Sequence, residues 1–506
     1  MPIEIELKLQ LDPRHIARLR SHALFKRATH SASRKLYSIY YDTPDLRLWQ
    51  AGVALRLRRV GNRWIQTIKS ESGVSAGMHQ RNEFETEVAS QVPDLSVIGG
   101  ALAAHFAASE LRARLKPVMI TDFTRMSCLL KPAAGATIEA SIDRGVITGG
   151  ELSEQFCELE LEVKSGPPWC AYQAALQLLE VAPLLVEDRS KAERGKAMYL
   201  REPRAPRKAP PSPVTADMSV GDAFSALVQS CLSHYITNVH GLLEDANPEY
   251  LHQARVALRR LRSVFDMFSP LLSPAALAAP IAETRWLARE LGRARDWDVF
   301  AAETLAPAAA HNNQNAGLAA LTRSAMRLRQ VVSRETHRAV ASARGQGLML
   351  LLGCQLSAET WLEAPGDMSD SKLREPIAGV ARTILDGASQ RVARRGKHIN
   401  FPAPRQLHRL RIAVKKLRYG GDFFAPLFPR KRFKPYLARL AELQEILGII
   451  NDTTTTPQLL AELGAPGAAP RRAFDAVTAR NASLRARAIK RLPRAWRQFK
   501  RAKAFW

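Results

Sequence analysis

The sequence predicts an α+β protein in two parts. An antiparallel β-domain with one charged face spans about residues 1–200, and an internally duplicated all-α domain spans 218–506. Three observations carry this reading. The first part alternates apolar and charged residues at period two, as half-buried strands do. Strand patterns then stop at a proline-rich segment near residue 210. Beyond it, one helical stretch occurs twice.

The opening residues MPIEIELKLQ place Glu4, Glu6 and Lys8 on one strand face and Ile3, Ile5, Leu7 and Leu9 on the other. Arg56 and Arg58 alternate with Leu55 and Leu57. Arg81, Glu83, Glu85 and Glu87 share one parity, and Glu158, Glu160 and Glu162 alternate with Leu159, Leu161 and Val163. Lys69, Arg125, Glu139 and Asp143 fall in comparable segments. Strands of one sheet would then present acids and bases on a common face, which barrel closure would turn inward. Periodicity alone leaves closure open. Histidines of this half, among them His22 and His79, have no partner pattern and read as surface or capping residues.

Taken in order, Glu4-Ile5-Glu6-Leu7-Lys8 (E-x-E-x-K), Tyr41-Asp42-Thr43, Leu55-Arg56-Leu57-Arg58, Cys157-Glu158-Leu159-Glu160 and Ser190-Lys191 resemble the CYTH family of triphosphate tunnel metalloenzymes. The resemblance implies an eight-stranded tunnel holding a triphosphate and a divalent metal, Mg²⁺ or Mn²⁺. Oxygen ligands suit these ions, which gives Glu4, Glu6, Asp143, Glu158 and Glu160 as the expected metal set. Glu4, Glu6, Lys8, Glu158 and Glu160 form the expected catalytic set. Arg56, Arg58, Lys69, Arg81, Arg125 and Lys191 would neutralise the substrate, the arginines in bidentate fashion. The implied activity is hydrolysis of inorganic triphosphate. Alternatives are an adenylate cyclase-like reaction, a thiamine or nucleoside triphosphatase, or a non-catalytic protein of polyphosphate granules. No adenine or thiazolium pocket is legible.

Residues 201–217, REPRAPRKAPPSPVTAD, hold five prolines and four basic residues and read as a semi-extended linker. Beyond it amphipathic helices are predicted at about 219–242, 247–268, 274–292, 316–343, 372–395, 405–426 and 431–450. The apolar run 347–356 also sits in a helical pattern and reads as core.

LHQARVALRRLRSVFDMF (251–268) aligns without a gap on LHRLRIAVKKLRYGGDFF (407–424), at an offset of 156 residues. His252, Arg255, Arg259 and Arg262 form one stripe of a helix, matched by His408, Arg411, Lys415 and Arg418. Arg260 and Lys416 accompany them. Leu251, Leu258, Leu261 and Phe265 lie on another face and can pack inward. Neighbouring like charges destabilise an isolated helix by a few tenths of a kcal/mol per pair, so a duplicated cationic stripe calls for an anionic partner. The offset also carries Leu291, Gly292 and Asp296 onto Leu447, Gly448 and Asp452.

The two H-x-x-R-x-x-x-[RK]-[RK]-x-R copies, with an R-D-x-D turn at Arg295–Asp298, resemble the CHAD family from about Asp217 onward. The resemblance implies two duplicated four-helix bundles, about 218–370 and 371–506, whose basic surfaces bind inorganic polyphosphate. Binding is expected to tighten towards pH 6 as the histidines gain charge.

Charge supports an anion partner in the second part. The net +26 divides unevenly: residues 1–200 hold 26 basic and 23 acidic side chains, the remainder 48 and 25. Charge by itself does not choose among polyphosphate, nucleic acid and an anionic membrane; the near absence of aromatics in the stripes favours a bare phosphate chain. Five cysteines without metal-ligand spacing fit a reducing compartment. With neither a signal-peptide pattern nor a long apolar run, a cytoplasmic protein is expected, with granule association following from the second resemblance. The basic C-terminal segment with Trp496, Phe499, Phe505 and Trp506 reads as a final bundle helix with its aromatics inward.

Overall fold

The computed structural model describes all residues except 1–2, 31–32, 107, 133–134, 312–315, 362–371, 398, 400–402 and 465–467. The chain forms two compact units, Met1–Pro206 with Ala341–Glu359, and Arg207–Val340 with Thr360–Trp506. The expected junction between helical copies, 370/371, lies outside the described residues.

The strands are β1 (Ile3–Leu11), β2 (Thr29–His30), β3 (Arg34–Asp42), β4 (Val53–Val60), β5 (Arg63–Ser75), β6 (Met78–Val88), β7 (Lys116–Leu130), β8 (Thr137–Gly149), β9 (Leu152–Ser165) and β10 (Leu184–Val186). The longer helices are α1 (Trp169–Leu179), α2 (Lys191–Tyr199), α3 (Val220–Glu244), α4 (Pro248–Phe268), α5 (Pro274–Val299), α6 (Ala316–Ala341), α7 (Ala343–Ala358), α8 (Ile377–Arg395), α9 (Pro404–Phe424), α10 (Arg430–Glu462) and α11 (Ala468–Arg501).

In the first unit, neighbours run β1-β6-β5-β4-β3-β7-β8-β9, and β9 pairs back to β1. The result is a closed, eight-stranded antiparallel barrel. Closure follows the sequence pattern: the apolar parity, including Leu7, Leu9, Leu57, Ile68, Ile142, Leu159 and Leu161, is buried outside the wall, so the charged parity faces in. Register sets Glu4 opposite Arg81, Glu6 opposite His79, Lys8 opposite Glu160 and Asp143 opposite Glu158. Among the described residues, short β10 pairs with β1 alone. Helix α2 starts at a capping box, Ser190 with Glu193.

The second unit consists of helices. Its first four long helices, α3 to α6, are followed by a second four, α8 to α11. The starts of α3 and α8 are joined across the repeat by a bridge between Ser219 and Pro376. There Val220 N donates to Glu375 O at 2.9 Å and Ile377 N to Met218 O at 3.0 Å. Phe224 packs on Phe265, Phe268 and Trp361 in the core. Leu251, Leu258, Leu261 and Phe265 are buried, as the stripe pattern required.

Two local expectations are corrected. Arg295–Asp298 is not a turn, because α5 runs on to Val299 and into a π-helical stretch, Phe300–Leu305; no glycine or proline occurs between Gly292 and Pro307 to stop it. The later part of the proline-rich segment is not a free tether. Arg207 N donates to Asn238 Oδ1 at 3.0 Å, Ser212 Oγ donates to Phe423 O at 2.5 Å, and Val214 is buried. Trp496, Phe499 and Phe505 are buried, as expected for a packed final helix. Among the described residues no helix is long and apolar enough to cross a membrane.

Candidate functional site

The barrel encloses a cavity of about 290 Å³ lined by Glu4, Glu6, Lys8, Arg56, Arg58, Lys69, Arg81, Arg125, Glu160 and Lys191. Strand alternation delivers most of this convergence, since each lining residue on a strand is an inward position of it. Glu158 and Asp143 lie behind that lining and are almost wholly buried.

The carboxylates of Asp143, Glu158 and Glu160 each place an oxygen within 4.8 Å of the others. Three cations hold them together. Lys191 Nζ bridges Asp143 at 2.8 Å and Glu160 at 2.9 Å and also bonds Glu158. Lys8 Nζ reaches Glu160 at 2.7 Å and Glu6 at 2.5 Å. Arg125 grips Asp143 through Nε at 2.7 Å and Nη2 at 2.6 Å, and bonds Glu160 too. Glu4 stands apart from this trio, ion-paired with Lys69 at 2.6 Å, while Glu6 is linked to it through Lys8.

These pairings fix protonation. Burial would raise the Glu6 carboxyl, but Lys8 and Lys69 with His79 together outweigh it and hold the group down to about 2. Glu160 is held low against its burial by Lys191, Lys8 and Arg125, whereas burial prevails at Glu158 and pushes it up despite Lys191. Lys8, Lys191 and Arg125 are raised by their carboxylates against the cost of burial. Arg58 runs the other way. Burial first, then the neighbouring Arg56 and Arg125, lower it to about 10, and its Nε finds the Ser38 hydroxyl, at 3.1 Å. Arg56 donates to Thr67 Oγ1 at 3.0 Å, and its Nε is buried without a partner among the described residues.

Some wall residues escaped the sequence pattern. His79, expected at the surface, is fully buried: it shares the inward parity of Arg81 and Glu83, and its Nδ1 lies 3.1 Å from Arg81 Nη2. Burial, with Lys8 and Arg81, lowers it to about 3, so it is neutral there. Tyr40 lines the cavity; burial opposes ionisation of its hydroxyl, but Arg56, Arg58, Lys69 and Lys191 together lower it. Arg194 is buried on α2, bonding Glu158 at 3.4 Å and Glu154 at 2.6 Å. Parity could have found the first two; Arg194 depends on how α2 docks. His22 does cap a helix, accepting from Leu24 N at 3.3 Å.

In the second unit, the two stripes converge. Arg255 feels Arg259, Arg295 and Arg411, and Lys415 feels Arg411, Arg259 and Arg255. One cluster therefore draws on both copies. Burial and this repulsion lower Arg255 to about 10 and Lys415 to about 7. Arg255 Nε and Nη1 and Arg411 Nε are buried without hydrogen-bond partners among the described residues. Arg259 donates to Tyr419 Oη at 3.2 Å, and Lys416 pairs with Asp266 across the repeat at 2.6 Å. Arg260 does not join them: it is buried on the inner face, 4.7 Å from the Phe423 ring centroid. Arg262 and His408 are exposed. Arg418 lies 5.6 Å from the Tyr419 ring centroid. His252 is lowered to about 4 by burial and by Arg295. It is therefore uncharged near pH 6, so the expected gain of charge does not hold for this histidine.

A closed barrel with paired acids and bases inside, followed by helices that repeat one cationic stripe, defines a tunnel protein with a duplicated helical extension. The CYTH domain profile matches residues 2–195 and the CHAD domain profile residues 226–461. The crystal structure of the CHAD domain from the plant Ricinus communis is 30% identical, covers 59% of this chain and 98% of its own, and superposes with a TM-score of 0.52. An inorganic triphosphatase from Haemophilus influenzae is 28% identical over 197 residues, 38% of this chain and 54% of that protein; the chain spans about half the length of this relative. HpAC1 from Hippeastrum, for which a dominant triphosphatase activity is described, is 18% identical over 38% of this chain and 95% of its own, with a TM-score of 0.31. The chain belongs to the proteins in which a CYTH domain is followed by a CHAD domain.

Proposed function

We propose that the barrel hydrolyses inorganic triphosphate with Mg²⁺ or Mn²⁺, and that the helical unit binds long-chain inorganic polyphosphate. One observation carries the first part: the barrel cavity is lined by Glu160, with Glu158 and Asp143 close behind it, and by Arg56, Arg58 and Lys69. Arg58, flanked by two further guanidiniums, is seated for an anion that the protein itself does not supply. A triphosphate bound there would be gripped by Arg56, Arg58, Lys69, Arg81 and Arg125, which fix it by position and charge.

The trio of hard oxygen donors, Asp143, Glu158 and Glu160, fits a divalent ion in ligand type and spacing, with Glu4 and Glu6 on the adjoining wall. Bound there, Mg²⁺ or Mn²⁺ supplies Lewis-acid polarisation of a phosphoryl oxygen. Lys8 and Lys191 hold Glu160 ionised and would meet charge developing on the transferred phosphoryl group. The activity of the Haemophilus influenzae relative supports this reading.

The test is phosphate release from tripolyphosphate, thiamine triphosphate and ATP by the full chain, with Mg²⁺, Mn²⁺ or a chelator, scoring cyclic AMP in parallel. Metal-dependent release, fastest from tripolyphosphate, is expected. Cyclic AMP as the main product would replace the reading with a cyclase.

The second part rests on the buried, unpartnered guanidinium nitrogens of Arg255 and Arg411 in a cluster built from both copies. Competition between polyphosphate and single-stranded RNA, matched in phosphate at physiological salt, tests it. Polyphosphate is expected to win; equal displacement would leave only generic polyanion binding.

A further inference from the structure

Residues 341–359 belong to the barrel's compact unit although the chain on both sides of them belongs to the helical unit. Their helix, α7, packs on α1 and β10. The fit is close. Leu348, Met349, Leu350 and Leu352 are essentially inaccessible to water. A Cβ at Gly353 would sit 2.3 Å from Tyr172 Cε1, so only glycine allows this approach.

Strand β10 has one edge on β1 and, among the described residues, no strand on the other. Gln346 of α7, itself buried, covers that edge: its Oε1 accepts from Val186 N at 3.2 Å. Such a contact satisfies a backbone donor that a buried edge would otherwise leave costly.

Beyond Val186 the chain enters the wall of the cavity. Glu187 N donates to Lys8 O at 3.0 Å, and Glu187 Oε2 accepts from Gln10 Nε2 at 2.7 Å. Asp188 Oδ1 accepts from Gly77 N at 2.8 Å, and Lys8 N donates to Gly77 O at 3.0 Å. Gly77 itself has φ +80° and stands where a Cβ would lie 2.5 Å from Val186 Cγ1. Ser190 then caps α2, whose first residue is Lys191. Both ammonium groups that balance Asp143, Glu158 and Glu160 are thus tied by backbone to the end of β10.

We infer that α7 is a strap on the reactive wall of the barrel, and that Gln346 is its positioning residue, acting through Val186 on Lys191 and Lys8. The kinetic consequence rests on the hydrolytic reading above; the structural one does not. Losing the hydrogen bond would let residues 184–191 drift while leaving Arg56, Arg58 and Lys69, on other strands, in place. Turnover should then suffer more than substrate binding.

The experiment uses the full chain with Gln346→Met, which keeps the volume and removes the acceptor, and Gln346→Glu, which keeps an acceptor oxygen. Hydrogen exchange over residues 184–191 and the kinetics of tripolyphosphate hydrolysis are read together, with the melting temperature as control. Gln346→Met is expected to speed exchange in that segment and to lower kcat about tenfold with KM within about twofold, as for a lost positioning contact; Gln346→Glu should stay close to wild type in both. Unchanged exchange in Gln346→Met overturns the inference, as does an equal loss in both variants with a shared fall in melting temperature. If the wild type hydrolyses no triphosphate, the hydrolytic reading fails and the exchange comparison still decides the strap.

Discussion

The barrel and the helical unit both concentrate cations, but they handle them in opposite ways. In the barrel, Lys8, Lys191 and Arg125 sit against buried carboxylates and are raised above their ordinary values. In the helical unit, burial first and then neighbouring cations, Arg259 among them, lower Arg255, Arg411 and Lys415, although Asp296 and Asp452 lie close and Asp452 is 3.8 Å from Arg411. Burial opposes charge in both places, so the difference comes from what lies opposite each cation. A charge-balanced site is rigid before any ligand arrives, as group transfer requires. An unbalanced one stores repulsion that the proposed polyanion would relieve on binding.

The largest expected effect is in the balanced site. Glu160→Gln removes the carboxylate shared by Lys8, Lys191 and Arg125, so tripolyphosphate hydrolysis should fall by roughly 10²–10⁴-fold, on the scale of lost electrostatic preorganisation. Chelation should abolish the remaining phosphate release. A variant within about tenfold of wild type would show that the balance of charge is structural only.

In the unbalanced site no single group dominates. Replacing Arg255, Arg259, Arg411 and Lys415 together by alanine should weaken polyphosphate binding by about 100-fold or more and flatten its salt dependence, while single replacements cost far less. Titration at several salt concentrations checks this. A single alanine as harmful as all four would mean a focused pocket rather than a shared cluster.

The contrast between the sites was only half legible in sequence. Period-two alternation placed Glu4, Lys8, Arg56, Arg125 and Glu160 on one face, because a strand has only two faces and the other was plainly apolar. Which acid meets which base depends on register and on the docking of α2, so neither the separation of Glu4 from the trio nor the role of Arg194 could be read. Helical periodicity gave the stripes but not their convergence, nor that Arg260 turns inward onto Phe423. The placement of α7 has no local signal at all: its apolar run says that it is buried, not against what.

Stability should separate the two sites by sign. Lys191→Met leaves Asp143, Glu158 and Glu160 short of a buried partner and should lower the melting temperature, at a cost of about 3–5 kcal/mol if the pairing behaves as buried ion pairs usually do. Lys415→Met relieves repulsion and should raise it by a few degrees. Lys415, lowered from 10.5 to about 7, is charged in the unfolded chain at neutral pH but only partly so in the folded one. Wild-type stability is therefore lost as pH falls from about 10 through 7, and the gain from Lys415→Met should be fullest at and below pH 7. A fall in melting temperature for both variants would erase the distinction.

A pH profile of binding sharpens the comparison most. A polyanion at the helical cluster would offset the repulsion that Arg411, Arg259 and Arg255 exert on Lys415 and raise its pKa from about 7 towards the ordinary 10.5, so the complex holds one more proton than the separate partners between those limits. Affinity for polyphosphate should climb as pH drops from about 9 to 7, by at most about tenfold per pH unit for one proton, and level off below 7, where Lys415 is already charged in the free protein. A histidine-driven response would instead begin near pH 6.5 and continue downward, which His252, lowered to about 4, does not support. Lys415→Arg should flatten the profile above pH 7 while keeping tight binding, since arginine stays charged throughout. A pH-dependent rise that survives Lys415→Arg would remove Lys415 from the binding surface.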